Sequence, residues 1–218
     1  MCVGIPRTTK GSAGLRQQNT DLLDPDALLK RPGARLMVLA PHPDDESLAA
    51  GGLIQRALRY GVQVDVVFVS DGENNPWPQR LLERRIRIGE KQRIAWGQRR
   101  RGEADVALHA LGAGRVGVHR LGWPDGGVTW MLLDDTASML AGMCGLIERA
   151  RPTLLVLPDL VDRHPDHSAL HVLMEMVFQK LPADAKPECL GYLLHGRSQP
   201  GVRRRAVVTL EGDARARK

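Results

Sequence analysis

Apolar positions along the chain alternate between two periods. Arg35 to Ala40 is a short apolar run with the look of a buried strand, and Ser47 to Tyr60 follows with Leu48, Leu53, Ile54, Ala57 and Leu58 at helical spacing. Gly61 suits a helix C-cap, and Val62 to Ser70, rich in β-branched residues, predicts a second strand. Asn74 to Pro78 reads as loop, and Gln79 to Arg101 as one long basic helix. Val116 to Leu121 predicts a third strand, Asp135 to Arg149 a helix stopped by Pro152, and Thr153 to Leu157 a fourth strand. Asp166 to Leu181 predicts the next helix, and Leu190 to Leu194 and Ala206 to Leu210 are two later strands. Before Ala34 the pattern is weak. Asp21 to Lys30 allows a short helix with Pro25 in its first turn, and residues 1–33 as a whole read as a poorly ordered lead-in to a single domain over 34–218.

Strands alternating with helices imply βαβ units. The expected fold class is α/β: three layers, Rossmann-like, with a mostly parallel sheet and helices on both faces. Polar clusters fall just after the strands: His42-Pro43-Asp44-Asp45-Glu46, Asp71, Asp125, and His164-Pro165-Asp166-His167. Open α/β sheets form their sites at the carboxyl ends of the strands, at the switch point, so these clusters are expected to converge.

At 218 residues the chain is long enough for one sizeable core. A net charge of +6 favours acidic partners. Much of the excess lies in Arg80, Arg84, Arg85, Arg87, Lys91, Arg93 and Arg99 to Arg101, and in Arg203 to Arg205. No nucleic-acid motif accompanies these runs. They read as a solvated basic face, with steering of a phosphorylated or nucleotide-linked sugar as the functional alternative. Cys2, Cys144 and Cys189 form neither a disulfide framework nor zinc-ligand pairs. The N-terminus lacks a signal-like apolar core and no run approaches ~18 apolar residues, so a cytoplasmic protein without a membrane span is expected.

A carboxylate- and imidazole-rich turn after a buried strand is costly to desolvate without a cation. His42 and Asp45, three apart in a Pro-framed turn, can point at one ion, and His167 supplies a third ligand from the second cluster. Two His and one carboxylate leave a tetrahedral zinc one open position, although Fe(II) or another divalent ion suits the same set. Asp44 is then placed to accept a proton from a water made acidic by the ion.

These residues resemble a known family. His42-Pro-Asp-Asp-Glu46 with His164-Pro-Asp-His167 is similar to the PIG-L/LmbE-like zinc-dependent N-deacetylases, which act mainly on N-acetylglucosamine-containing conjugates. Ser70-Asp-Gly-Glu73, Arg87-x-x-Glu90 and Leu121-Gly-Trp-Pro-Asp-Gly126 extend the likeness over roughly Ala34 to Leu210. The resemblance implies one zinc on His42, Asp45 and His167, and Asp44 as general base. It also implies a protonated His164 stabilising the oxyanion, oriented by Asp166, and sugar or phosphate contacts from Arg87 and Asp125. Asp71 is a further candidate substrate contact, and Trp123 and Trp77, in loops at the same edge, are candidates for stacking on a sugar ring. Family members usually run on past the sixth-strand region, whereas this sequence ends at Lys218, so the likeness covers the metal site better than any lid above it.

The implied reaction is removal of an N-acetyl group from an amino-sugar conjugate, releasing acetate. The alternatives are a zinc amidase on another N-acylated small molecule, such as a thiol-glycoside conjugate or an antibiotic sugar, and a basic nucleic-acid-binding protein with a structural metal.

Overall fold

The computed structural model describes residues 21–84, 86–112, 114–196 and 204–206. Its main sheet has five parallel strands, in the order β4(Val116–Arg120), β3(Gln63–Phe68), β2(Arg35–Ala40), β5(Leu154–Pro158), β6(Glu188–Tyr192). Chain order runs outward from β2 to β4 on one side and from β5 to β6 on the other. The direction therefore reverses between β2 and β5, which pair with Leu36 beside Leu154. That is the switch point, and both His-Pro-Asp clusters leave the sheet there.

Side-chain alternation along β2 builds the layers. Leu36, Val38 and Ala40 face a core formed with α1(Pro25–Leu29), α2(Asp45–Arg59) and α4(Glu90–Gly112). Met37 and Leu39 face a second core formed with α5(Val128–Asp134), α6(Thr136–Ala150) and α7(Pro165–Lys180). Burial on both faces explains why β2 and β5 read as continuous apolar runs. The expected α/β architecture is the one observed.

Gly61 does close α2. It sits at φ 71°, and the Val62 N–H reaches back to the Ala57 carbonyl at 2.9 Å, the Schellman arrangement.

Several element boundaries differ from expectation. The stretch from Asp21 divides into a short strand, β1(Asp21–Leu23), and helix α1, capped by Asp24, whose Oδ1 accepts from the Asp26 N–H at 2.9 Å. Leu28 and Leu29 are buried, so packing begins before Ala34 rather than at it. The long basic helix is two helices. Helix α3(Pro76–Glu83) starts inside the expected 74–78 loop and ends where Arg84 turns left-handed at φ 52°. Helix α4 runs on to Gly112, because Ala104, Leu108 and Leu111 continue its buried face past the arginines. Helix α5 has only seven residues, too few for a periodic signal. Strand β6 lies two residues earlier than expected. A last strand, β7(Arg204–Ala206), pairs in parallel with β1 outside the main sheet. Residues 1–20, and 207–210 of the expected final strand, lie outside the described residues.

Candidate metal centre

The turn after β2 is held from three sides. The Ser70 N–H and hydroxyl both donate to the Pro41 carbonyl, at 3.0 and 2.8 Å. Arg100 donates to the carbonyls of Pro43 and of Gly72 (3.3 Å to the latter). Glu46, fully buried, accepts from the Asp44 N–H at 2.9 Å and from the Ser47 hydroxyl at 2.6 Å. Asp44 sits at φ 126°, a conformation costing about 1–3 kcal/mol for a residue with a Cβ, and these bonds hold it there.

The next residue, Asp45, is the hub. Its Oδ2 accepts from the His42 N–H at 2.8 Å, lies 3.3 Å from His42 Nδ1, and lies 3.2 Å from His167 Nε2. All three residues are buried. His167 has no exposed surface. Its Nδ1 lies 3.3 Å from Asp162 Oδ2, yet neither ring nitrogen has a partner in hydrogen-bond geometry. Two unsatisfied buried nitrogens are expensive in a protein that offers them only carboxylates. Ligand bonds of about 2.0–2.1 Å around a tetrahedral zinc would put donors about 3.3 Å apart. The His42–Asp45 and Asp45–His167 spacings match that edge. Among the described residues the donor atoms of His42, His164 and His167, of Asp45, His167 and His195, and of His42, Asp125 and Asp166 fall within 4.8 Å of one another in each set, so the residues gathered here fit a divalent ion.

The opposite side of His42 is held by two more carboxylates, Asp125 Oδ1 at 3.1 Å and Asp166 Oδ2 at 3.3 Å from its Nε2. Burial opposes charge on His42, but contacts with Asp125, Asp166 and Asp45 push its pKa up to about 11. Burial likewise works to raise the pKa of Asp45 and of Asp125, but His167 and His42 lower that of Asp45, and His42, the Asn74 N–H and Arg100 lower that of Asp125. A site this rich in carboxylates is built to hold positive charge.

His164 caps α7. Its Nδ1 accepts from the Asp166 N–H at 3.3 Å, and its ring lies 4.6 Å from that of His42 and 5.1 Å from that of His167, centroid to centroid. Burial, then the neighbouring His42 and His167, lowers its pKa. Asp44 is 58% exposed at its side chain, with Oδ2 at 3.0 Å from Arg100 Nη2. Desolvation by the surrounding wall raises its pKa, and Arg100 pulls part of that back.

A cleft of about 290 Å³ opens over these groups, lined by His42, Asp44, Asp45, Asn75, Arg100, Asp125, His164, His195 and two leucines. A larger one, about 830 Å³, lies at the other end of the sheet among Glu148, Arg151, Lys186 and Glu188, with no histidine in its lining.

Of the residues expected at the site, His42, Asp44, Asp45, Asp125, His164, Asp166 and His167 are brought together. Asp166 takes a different position from the one expected. Its carboxylate turns to His42 and to the N–H groups of Gly126 (2.7 Å) and Val128 (3.2 Å), and only its backbone meets His164. Asp125, expected as a substrate contact, lies in the cleft lining and braces His42. Arg87 is exposed in the α3–α4 connection and does not line the cleft. Asp71 is engaged on both oxygens by Arg101. Trp123, half-buried, packs against the core, donates its backbone N–H to Val69 and does not line the cleft. Trp77 is exposed on α3, outside the cleft lining.

Arg100, Asp162 and His195 were missed. Arg100 lies one turn before Ala104 on the inward face of α4, in the series Trp96, Arg100, Ala104, Leu108, Leu111, and the surrounding arginine run concealed that period. His195 follows β6 as the other clusters follow their strands. Asp162 ties it in, accepting from the N–H groups of His164, Leu194 and His195. The donor atom of His195 falls within 4.8 Å of those of Asp45 and His167.

Relatives bear on this arrangement. A 1D-myo-inositol 2-acetamido-2-deoxy-alpha-D-glucopyranoside deacetylase of Rhodococcus jostii is 29% identical over 175 residues, covering 71% of this chain and 56% of its own length. The chain thus spans little more than half of that relative. Two solved structures share the fold. The N,N'-diacetylchitobiose deacetylase of Pyrococcus horikoshii aligns at TM-score 0.57 and 21% identity, over 74% of this chain and 56% of its own. The hydratase GalB of Pseudomonas putida aligns at 0.55 and 23%, over 75% and 62%. A model of the PIG-L family, GlcNAc-PI de-N-acetylase, matches residues 37–178, which takes in both His-Pro-Asp turns and the sheet between them, and the chain belongs to that family.

Proposed function

We propose that the chain is a metal-dependent hydrolase that removes an N-acetyl group from an amino-sugar conjugate, releasing acetate and the free amine. One observation carries the reading: a single oxygen of buried Asp45 faces both His42 and His167, whose ring nitrogens have no partner in hydrogen-bond geometry, with Asp44 beside them at the mouth of the cleft. His42, Asp45 and His167 would hold the ion, read as zinc, with Fe(II) or another divalent metal as the alternative. Such an ion lowers the pKa of water toward ~7 and polarises an acyl oxygen.

The chain's own residues supply the rest. Asp44, with its raised pKa and exposed tip, is suited to take a proton from the attacking water and return it to the leaving nitrogen. Arg100 fixes its position. His164 receives a backbone N–H at Nδ1, which assigns the ring proton of the neutral form to Nε2. Its lowered pKa favours that neutral form, so His164 serves the developing oxyanion as a neutral donor rather than as an imidazolium. Asp125 and Asp166 orient His42 through its far nitrogen.

Among the described residues Arg100 is the one Arg or Lys lining the cleft, and it is already engaged by Pro43, Gly72 and Asp44. That favours an uncharged sugar over a phosphate at the reacting end. The structural neighbour GalB is a hydratase, so the fold alone does not select hydrolysis. A panel of N-acetylated sugars, glycosyl-inositols and disaccharides, with acetate and free amine quantified, tests the reading. Equimolar acetate and amine from at least one N-acetylglucosaminyl conjugate is expected. Turnover that yields neither, or activity confined to N-acyl compounds without a sugar, would contradict it.

A further inference from the structure

Helix α3 is inside-out. Its one buried residue is Gln79, whose amide donates to the Gln92 carbonyl at 2.8 Å and to Glu83 Oε2 at 3.2 Å. Trp77, Leu81 and Leu82 on the same helix are 73%, 79% and 58% exposed, Ile86 after it is 88% exposed, and Ile94 on α4 is 54% exposed. Surface helices ordinarily turn their apolar stripe inward, and an exposed cluster of large apolar side chains marks an interaction surface.

The same stretch concentrates charge. Residues 77–94 carry Arg80, Arg84, Arg85, Arg87, Lys91 and Arg93 against Glu83 and Glu90. Six minus two is +4, out of +6 for the whole chain. Arg84, Arg87 and Lys91 have no acidic partner among the described residues. Arg80 lies over the Trp77 ring, 5.3 Å from its centroid.

We propose that α3 and the connection to α4 seat the protein on the surface of an anionic phospholipid bilayer. Trp, Leu and Ile side chains would enter the boundary between headgroups and acyl chains, and the unpaired cations would meet the headgroups. The combination selects the occupant. A nucleic acid would use the cations but leave Leu81, Leu82 and Ile86 in water. A second copy of this face would set +4 against +4. A neutral bilayer has no use for the cations. No helix among the described residues is long and apolar enough to cross a membrane, so the attachment is peripheral. Asn75 both caps α3, accepting from the Trp77 N–H at 3.3 Å, and lines the cleft, so the bilayer would lie beside the mouth of the site.

Co-sedimentation of the full chain with vesicles of phosphatidylcholine alone, and of phosphatidylcholine mixed with phosphatidylglycerol, tests this. Binding to the mixed vesicles only is expected, weakening with salt and accompanied by a blue shift of tryptophan emission that Trp77→Phe removes. Leu81→Ser with Ile86→Ser, and separately Arg84→Glu with Arg87→Glu, should each weaken binding by about tenfold or more. An unchanged melting temperature in both double variants would show that folding is intact. Absence of binding to anionic vesicles at low salt would overturn the proposal. So would binding that the Leu81/Ile86 variant leaves untouched, since cations alone would then serve any polyanion, nucleic acid included. Loss of self-association in the variants with vesicle binding unchanged would assign the face to a second copy instead.

Discussion

Asp44 and Asp45 are adjacent carboxylates with opposite fates, and burial separates them. Asp45 is buried between two imidazoles and kept ionised, whereas Asp44 projects into the cleft with its pKa raised. Asp44→Asn should therefore keep the metal and lose about 10²–10⁴-fold in turnover, the usual contribution of a positioned base. Metal analysis beside kcat checks it, and a fully active Asn variant would remove Asp44 from the mechanism. Asp166→Asn should weaken zinc affinity by about 10–100-fold, because it loosens His42 without touching the ion. Competition with a chromogenic chelator reads that number. The convergence of His42, Asp44, Asp45 and His167 was legible in the sequence because short-range spacing and the position after a strand specify it. The partners of Asp166, Asp71 and Trp123 were not, since each depends on which distant residue the fold delivers: His42, Arg101 and the core respectively.

At the scale of elements, α2 carries the first cluster and is anchored at its far end by α1. Asp26 accepts from Arg56 at 3.0 Å and from the Tyr60 hydroxyl at 2.8 Å. Burial works to raise the pKa of Asp26, but Tyr60 and Arg56 together lower it. A depressed carboxyl stabilises the fold above its unfolded pKa of ~3.9, and that stability is lost as pH falls through the lower folded value. Asp26→Asn should accordingly destabilise by about 1 kcal/mol near neutrality and show a shallower loss of stability in acid, measured by urea titration at several pH values. Helix α7 carries the second cluster, and its Leu170 is fully buried against the sheet. Leu170→Ala should cost about 2–5 kcal/mol, checked by the same titration. The strands and most helices could be read from periodicity. The split of the long basic helix could not, because an inverted helix such as α3 offers an apolar pattern pointing away from any core, and a short helix such as α5 offers hardly a period at all.

At the scale of the molecule, the switch point between β2 and β5 makes one site from two turns about 120 residues apart. The parallel order could be anticipated from alternation alone, but His195 and Arg100 could not, since they arrive from β6 and α4 only once the sheet has closed around the site. The proposed function links metal and reaction through that one place. The most direct measurement is a zinc titration of the chelated protein, following acetate release from an N-acetylglucosaminyl conjugate as bound metal is counted. Activity should be absent at the start, rise in proportion to bound zinc, and level off at one ion per chain, with His167→Ala binding none. Acetate release that persists without metal, or zinc held as tightly by His167→Ala as by the parent chain, would contradict the account.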